Sequence, residues 1–344
     1  MVFLASEIRN LLRAHAVWIA LLFSIPIATA HADGIYTDST VTRVEYQGLV
    51  YEVEEGWVYQ VIDQSREPLF SYYDPYFVTN NYSTNSGNHF RLVNGYGYVP
   101  SRNGYVEDFE NINTITDLIG PAPANWTSMT LQSPAAPTVD EYVALRRQIL
   151  NLQSDFIDNR IDMTSSRVHN GDSAVRFYAV APSGGLDHTK TSLDNDLVYF
   201  EKGDTFRFSS WFYLEQGRPD SIMDLESSYI DEAPGVRIVL DDERRPSVEL
   251  KFATKPLYKM NPPATAKFPI NEWVKIELKL YLSDEDNEGR VELWMNGSKI
   301  IDRFGRTMTL FDAVYDSLQV GVTANSSSSA TILYADEISV SESP

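Results

Sequence analysis

Charged and aromatic side chains alternate with apolar ones in four consecutive segments between residues 205 and 253. Neighbouring side chains of a strand point to opposite faces, so the apolar residues predict a buried face and the others an outward face. If the four segments share one sheet, a single solvent-facing concave surface carries both aromatic and charged groups. Its predicted members are Arg207, Trp211, Tyr213, Glu215, Asp224, Glu226, Arg237, Glu249 and Lys251.

This mixture of side chains suits a sugar polymer. Aromatic rings stack on the C–H faces of sugars, while charged groups make directional hydrogen bonds to hydroxyls. A second interpretation is a solvated sheet face held by cross-strand ion pairs. The large aromatics Trp211 and Tyr213 favour a binding site, because exposed side chains of this kind often mark one.

Composition excludes several classes of function. The 344 residues carry 28 basic and 48 acidic side chains, a formal charge of −20, and contain no cysteine. Nucleic acid requires a basic face, so this charge argues against nucleic acid as a partner and against anionic membranes. The lack of cysteine excludes disulfides, thiolate metal sites and a cysteine nucleophile. A hydrophobic content of 43% is sufficient for a real core.

The elements that must position these residues are mostly short strands. Nine alternating segments separated by turn residues predict an all-β fold, a two-sheet antiparallel sandwich over residues 108–342. One helix interrupts them near residues 138–153 and begins at a capping box of Thr138 and Glu141. Its predicted apolar stripe is Val139, Tyr142, Val143, Ile149 and Leu152. No β-α-β rhythm occurs, which argues against a doubly wound nucleotide-binding fold.

Two regions precede the sandwich. Residues 1–32 combine Arg9 and Arg13 with a short apolar run and two A-x-A sites, which is typical of a secretory signal peptide. Residues 33–106 are rich in tyrosine and predict a strand-rich extension packed on a domain at 107–344; its tyrosines also suit sugar contacts. We therefore expect a secreted or periplasmic monomer of the bacterial envelope, with no membrane span in the mature protein.

A resemblance to the concanavalin A-like jelly roll covers residues 108–342. It rests on the segments "HNGDSAVRF", "EWVKIELKL", "GRVELWMNG" and "ILYADEISV". More specifically, the order of these segments resembles the secreted polysaccharide lyases of the heparin lyase I and glucuronan lyase type. The resemblance implies an extracellular polysaccharide as the partner and cleavage of a uronate-containing chain by β-elimination.

Such a lyase must neutralise the C5 carboxylate of a uronate, remove the C5 proton and protonate the leaving oxygen. The neutralisers we expect are Arg207, Arg237 and Lys251, and the proton carriers are Tyr213, Tyr258, His188 and Lys190. "LDHTKTSL", with His188, stands where related lyases carry a charged strand of the groove; a plain surface role is the alternative for this histidine. "KFATKPLYK", with Tyr258, predicts either a flexible loop that closes over substrate or a solvated basic loop.

One segment departs from the lyase pattern. In those lyases the corresponding segment resembles Gln-x-His, with the Gln and His side chains facing the groove. Here the segment is Asp224-Leu225-Glu226, so the Gln and His pair is absent. The segment is also similar to the Glu-x-Asp-x-Glu signature of laminarinase-like hydrolases, but Ile222 occupies the nucleophile position. A hydrolase that uses Asp224 and Glu226, with Glu215 or Glu249 available from a neighbouring strand, stays open. So does a noncatalytic carbohydrate-binding protein, which needs only aromatic rings and polar neighbours.

The resemblance also implies a structural calcium ion where the first strand, the "NGDSA" turn and the last strand meet. The ligands would be Asp108 or Glu110, Asp172 with the Gly171 carbonyl, and Asp336. Hard oxygen ligands of this kind suit Ca²⁺. We therefore expect Asp336 and an acidic residue at 108 or 110 to come together at one end of the sandwich.

Overall fold

The structure is a computed structural model that describes most of the chain after residue 102. The described ranges are 103–119, 125–228, 233–252, 255–309 and 313–342, together with eight strands between residues 34 and 100. The predicted signal peptide at residues 1–32 lies outside the described residues. None of the described helices has the length and apolar character needed to cross a bilayer.

The strands before residue 101 form two antiparallel sheets. Five strands pair in sequence order: β1 (Gly34–Thr37), β2 (Val41–Tyr46), β3 (Leu49–Glu54), β4 (Trp57–Ile62) and β5 (Ser65–Ser71). The next three also pair in sequence order: β6 (Asn81–Ser83), β7 (His89–Val93) and β8 (Gly97–Pro100). The strand-rich character predicted for the N-terminal extension is therefore confirmed.

The remaining elements contain two helices and fifteen strands. β9 (Tyr105–Glu107) spans the position at which the sequence places the domain boundary. It is followed by α1 (Ile115–Leu118), β10 (Ser128–Thr130), α2 (Val139–Leu150), β11 (Arg160–Thr164), β12 (Ala174–Ala179), β13 (Thr189–Asn195), β14 (Thr205–Gln216), β15 (Ser221–Glu226), β16 (Gly235–Leu240), β17 (Pro246–Phe252), β18 (Lys255–Met260), β19 (Trp273–Tyr281), β20 (Arg290–Met295), β21 (Ser298–Phe304), β22 (Ser317–Asn325) and β23 (Thr331–Glu342). All nine segments predicted as strands fold as strands.

Two large antiparallel sheets contain these strands. The seven-stranded sheet has the order β10-β13-β22-β15-β16-β17-β18. The eight-stranded sheet has the order β11-β12-β23-β14-β19-β20-β21, with β9 paired to β23 as its eighth strand. One hydrophobic cluster joins both sheets and contains the fully buried Phe212 of β14 and Ile238 of β16. The predicted two-sheet antiparallel sandwich is confirmed.

The alternation of polar and apolar residues explains how each sheet buries one face. In β19, the side chains of Val274, Ile276 and Leu278 are buried, whereas Lys275 and Glu277 between them are partly exposed. Because the strand period is two, every second side chain of such a strand enters the core. The same period leaves a polar face on the outer side of each sheet.

Helix α2 begins as predicted. The Thr138 hydroxyl accepts a hydrogen bond from the Glu141 amide, and the Glu141 carboxylate accepts one from the Thr138 amide. Its buried side consists of Leu145 and Ile149, whereas Val139 is 61% exposed. The predicted stripe is therefore partly wrong, because the helix packs along the sheet edge at β10 and buries only its middle and C-terminal turns. The four-residue helix α1 was not predicted.

Two expectations about individual strands are wrong. β14 pairs with β19 and β23, whereas β15 pairs with β16 and β22, so these consecutive strands lie in different sheets. The residues separated in this way are Arg207, Trp211, Tyr213 and Glu215 on one sheet and Asp224, Glu226, Arg237, Glu249 and Lys251 on the other. The segment around Tyr258, expected to be a loop, is strand β18 and pairs with β17. Alternation fixes the two faces of a strand but says nothing about its partner strand.

Candidate active site

The polar face is the side of the seven-stranded sheet turned away from the core. Directly opposed residues on six neighbouring strands form one row across it: Asp194, Gln319, Asp224, Arg237, Glu249 and Lys259. Their strand neighbours Leu225, Val236 and Leu250 are buried in the core. Register therefore gathers five charged side chains in one row, as expected for opposed residues of neighbouring strands.

Arg237, Glu249 and Lys259 form a chain of ion pairs in this row. Arg237 contacts Oε2 of Glu249 through both Nε and Nη2. The other carboxylate oxygen, Oε1, lies 3.2 Å from the Lys259 ammonium nitrogen. Glu249 is only 1% exposed, so its charge depends on these two cations in a region of low dielectric.

A second ion pair joins Glu226 on β15 to Lys251 on β17, on either side of Gly235 on β16. The Lys251 ammonium nitrogen lies 2.5 Å from Oε1 of Glu226, and Gly235 stands between them in the register. A Cβ atom at Gly235 would lie 2.0 Å from the Leu225 carbonyl oxygen, so only glycine fits this approach. Burial raises the pKa of Glu226, the Asp224 charge adds to the shift, and Lys251 opposes it.

Lys190 differs from the cations in these pairs because it contacts no carboxylate directly; its charge acts on Glu226 only at longer range, where it lowers the pKa of that group. It lies on β13 between Thr189 and Thr191, whose hydroxyls donate to the carbonyls of Val180 and Tyr178 on the core side. Its own side chain therefore turns to the polar face. Within the described part of the chain, no carboxylate oxygen lies within 4.0 Å of its ammonium group.

His188 lies two residues before Lys190 and is partly buried. Burial lowers the pKa of its imidazole, and the positive charge of Lys190 lowers it further. Arg237 acts in the same direction, whereas the carboxylates of Asp187 and Asp220 oppose this shift in part. The imidazole is therefore neutral at neutral pH and able to accept a proton.

Asp194 is a titratable group of the polar face that sequence reasoning missed. It is 5% exposed and accepts hydrogen bonds from the Thr130 and Ser192 hydroxyls at 2.8 and 2.9 Å. Burial, followed by the charge of Asp196, raises its pKa to about 7. Its alternation with Ser192 and Lys190 in "TKTSLDN" was the signal that could have identified it.

Helix α2 brings Tyr142 to the same region. Arg146, one turn later, donates to the Ser128 hydroxyl and the Met129 carbonyl of β10 and so ties the helix to the sheet edge. Burial raises the pKa of the Tyr142 phenol, and the nearby Asp194 charge adds to it. The phenol therefore keeps its proton and can donate it. Helical spacing identified this residue only as part of the apolar stripe, because spacing does not show which sheet edge a helix meets.

The aromatic residues predicted for the groove lie on the eight-stranded sheet. Trp211 stacks on His169, with ring centroids 3.7 Å apart and an angle of 15° between the planes. Tyr213 is 5% exposed, and the guanidinium of Arg167 lies 4.5 Å from its ring centre. Neighbouring side chains thus cover these rings, and the prediction that they share a surface with Asp224 is wrong.

Three further predicted residues also lie away from the polar face. Arg207 is exposed on β14. Glu215, on the same strand, accepts a hydrogen bond from the Tyr334 hydroxyl at 2.8 Å. Tyr258 is opposite the core residue Leu250 and packs against the hydrophobic cluster, where burial raises the pKa of its phenol.

Two of the predicted calcium ligands, Glu110 and Asp336, contact the same turn by accepting hydrogen bonds from its backbone amides. Asp336 accepts from the amides of residues 169 and 170, and Glu110 accepts from those of Asp172 and residue 173. Asp108 accepts from the amide of Glu110. Among the described residues, no group of three or more His, Asp or Glu side chains is arranged to hold a metal ion. Calcium binding at this turn therefore stays a prediction.

Comparison with known proteins relates the chain to enzymes that cleave polysaccharides. A family model described as polysaccharide lyase matches residues 144–339. Similar solved structures include an endo-β-1,4-glucuronan lyase from the fungus Trichoderma reesei, at 14% identity and a TM-score of 0.45 over 63% of this chain and 95% of that one. A cellulose-induced protein is 14% identical with a TM-score of 0.45, over 69% of this chain and 96% of that one. An alginate lyase is 9% identical with a TM-score of 0.41, over 70% of this chain and 97% of that one. No curated protein matches the sequence.

Proposed function

The chain belongs to the polysaccharide lyase family, whose model matches more than half of its length, and we propose that it cleaves a uronate-containing polysaccharide by β-elimination on the polar face. In this reaction a base removes the proton at C5 of the uronate. The released electron pair forms the C4–C5 double bond while the C4–O bond breaks, and an acid protonates the leaving oxygen. The C5 proton is acidic enough only if a cation neutralises the adjacent carboxylate.

Lys190 is the neutraliser in this proposal, and its lack of a carboxylate partner is the observation that carries it. Arg237 and Lys251 lie on the same face, but Glu249 and Glu226 already hold them. A substrate carboxylate at either cation would have to displace a buried one, which is unfavourable. The Lys190 ammonium requires no such exchange.

His188 is the proposed base and Tyr142 the proposed acid. The lowered pKa of His188 keeps its imidazole neutral, and the raised pKa of Tyr142 keeps its phenol protonated. Proton transfer is efficient when donor and acceptor start in these forms. Both groups lie within electrostatic reach of charged residues of the polar face, His188 of Lys190 and Tyr142 of Glu226.

We further propose that the protein is secreted. The apolar run and A-x-A sites of residues 1–32 support export. A polysaccharide of the extracellular space is a substrate that only an exported enzyme meets.

The test measures the ultraviolet absorbance of the unsaturated product on a panel of uronate polymers. Lys190→Ala should lower kcat/KM by about 10²–10³-fold, the usual effect of losing one group that stabilises developing charge. Lys279→Ala is the matched control, since this lysine lies on the outer face of the eight-stranded sheet beside Glu292 and should leave the rate unchanged.

Three outcomes would contradict the proposal. Full activity of the Lys190 variant would exclude it as the neutraliser, and loss of activity in Arg207→Ala alone would move the site to the other sheet. New reducing ends without the unsaturated product would indicate hydrolysis, because only elimination creates the double bond.

A further inference from the structure

We propose that the substrate carries its uronates separated by uncharged sugars, and that a polymer made only of uronates is a poor substrate. This inference rests on the proposed function, because it takes Lys190 as the group that binds the reacting carboxylate. It concerns the rest of the polar face, the strip formed by β15–β18.

The charges of this strip cancel. Its described side chains on the polar face include three carboxylates and three cations: Asp224, Glu226 and Glu249 against Arg237, Lys251 and Lys259. Each cation lies within 4.0 Å of a carboxylate of the strip. Among the side chains of the strip that the structure describes, no positive charge is therefore left uncompensated for a second uronate bound beside the first.

Exchanging partners inside the strip is costly. The carboxylates of Glu249 and Glu226 are 1% and 5% exposed. If a uronate displaced Glu249 from Arg237, Oε2 of that buried carboxylate would lose both guanidinium contacts without regaining water. The same argument holds for Glu226 and Lys251. A homopolyuronate would place carboxylates along this strip in every register of binding.

An uncharged sugar does not require this exchange. Arg237 uses Nε and Nη2 on Glu249, which leaves Nη1 to donate to a hydroxyl or ring oxygen. The side chains of Arg237 and Lys259 are 24% and 50% exposed, so such donors can meet a ligand. Neutral hydroxyls gain these hydrogen bonds while both ion pairs stay intact.

The net charge of the whole chain also disfavours a polymer made only of uronates. At a formal charge of −20, the protein repels a polyanion at long range and slows its approach at low ionic strength. A polymer with isolated uronates carries fewer charges per unit length and is repelled less. The strip and the overall charge therefore select the same class of substrate.

The experiment compares elimination on two classes of polymer at matched uronate concentration. Alginate, polygalacturonate and β-1,4-glucuronan represent the homopolyuronates, while hyaluronan and unsulfated chondroitin, in which an uncharged sugar is attached at C4 of each uronate, represent isolated uronates. We expect at least one mixed polymer to react about tenfold faster than every homopolyuronate, equal to about 1.4 kcal/mol in the barrier. Faster elimination on a homopolyuronate overturns this inference and leaves the proposed function standing. No elimination on any polymer by folded protein overturns both.

A variant tests the strip directly. Glu249→Gln removes the partner charge of Arg237 and should raise the homopolyuronate rate relative to the mixed-polymer rate by about tenfold. Glu292→Gln is the matched control, because Glu292 is also a buried carboxylate held by lysines but lies on the eight-stranded sheet. An unchanged ratio in Glu249→Gln overturns the inference. If that variant does not fold, Glu226→Gln, which frees Lys251, serves the same purpose with the same outcomes.

Discussion

Asp194 shows how burial controls a single carboxyl group of the polar face. Removal from water raises its pKa to about 7, and the Asp196 charge adds to this, while the hydroxyls of Thr130 and Ser192 oppose it only in part. A carboxyl group with this pKa changes charge close to neutral pH. Its ionisation is then linked to the free energy of unfolding.

The titration of Asp194 should make the stability of the protein depend on pH. The folded pKa of Asp194 lies above its unfolded value, so its contribution to stability is present below about pH 4 and is lost as pH rises through about 7. Asp194→Asn removes this loss. The variant should therefore gain stability relative to the wild type as pH rises, by at most about 4 kcal/mol for a shift of some three pKa units. Urea unfolding at a series of pH values measures this.

Asp241 serves as a control because its pKa is lowered in the folded state, whereas that of Asp194 is raised. Its partial burial is outweighed by hydrogen bonds from the Arg245 and Glu243 amides and the Arg245 side chain, which lower its pKa. Its stabilising contribution is thus present above the unfolded pKa and is lost as pH falls. Asp241→Asn should lose stability relative to the wild type as pH rises. Parallel curves for Asp194→Asn and the wild type would show that Asp194 does not titrate in this range.

The sequence predicts which side chains lie on each face of a strand, but it does not predict which strands pair to form each sheet. Alternation correctly assigned Phe212 of β14 to the core and Arg207 to the opposite face, although it did not show that Tyr213 on that opposite face is covered. It could not show that β14 pairs with β19 and β23, because strand pairing depends on contacts between residues far apart in sequence. The sequence therefore correctly placed the charged residues Asp224 and Arg237 on one surface, but it wrongly placed Trp211 on that surface as well.

Other parts of the site depended on tertiary contacts that no local pattern encodes. Trp211 was expected to be open to sugar, but His169 from a distant turn stacks on its ring. Tyr142 lies near Asp194 only because α2 meets the edge of the sheet at β10. Even the difference between Lys190 and Lys251 arises from a tertiary contact, because the Glu226 carboxylate pairs directly with Lys251 and feels Lys190 only at longer range.

The second prediction belongs to the pairing of β15 with β16. Gly235→Ala places a Cβ atom 2.0 Å from the Leu225 carbonyl oxygen, so the two strands must separate locally. We expect a loss of about 1–3 kcal/mol in the free energy of unfolding. Activity should fall as well, because Lys251 reaches Glu226 across this position. Thermal unfolding and the elimination assay measure the two effects.

Gly104→Ala is the matched control for this substitution. A Cβ atom at Gly104 meets nothing within 4 Å, so its effect should stay within about 0.5 kcal/mol. Equal stability of the two variants would show that β15 and β16 tolerate a side chain between them.

For the whole molecule, the acidic excess opposes folding through self-repulsion. The 48 acidic and 28 basic residues leave a charge of −20, which favours solubility and disfavours the compact state. Local ion pairs act in the other direction. The network of Lys299, Glu292, Asp302 and Arg290 lies on the outer face of the eight-stranded sheet, where most of its members are partly exposed. Exposed pairs of this kind contribute little each.

Repulsion across the whole chain should therefore outweigh these pairs, and this gives the last prediction. Sodium chloride screens both kinds of interaction, and at about 1 M the Debye length is about 3 Å. The melting temperature at neutral pH should rise with salt, by about 2–4 °C for each kcal/mol of repulsion removed. Equal osmolality of a neutral sugar outside the substrate class, compared in parallel, separates screening from general solute exclusion. A fall in melting temperature would mean that the ion-pair networks stabilise the fold more than the net charge destabilises it.

The same salt series should speed elimination on homopolyuronates more than on mixed polymers, because the repulsion between a polyanion and this chain is screened in the same way.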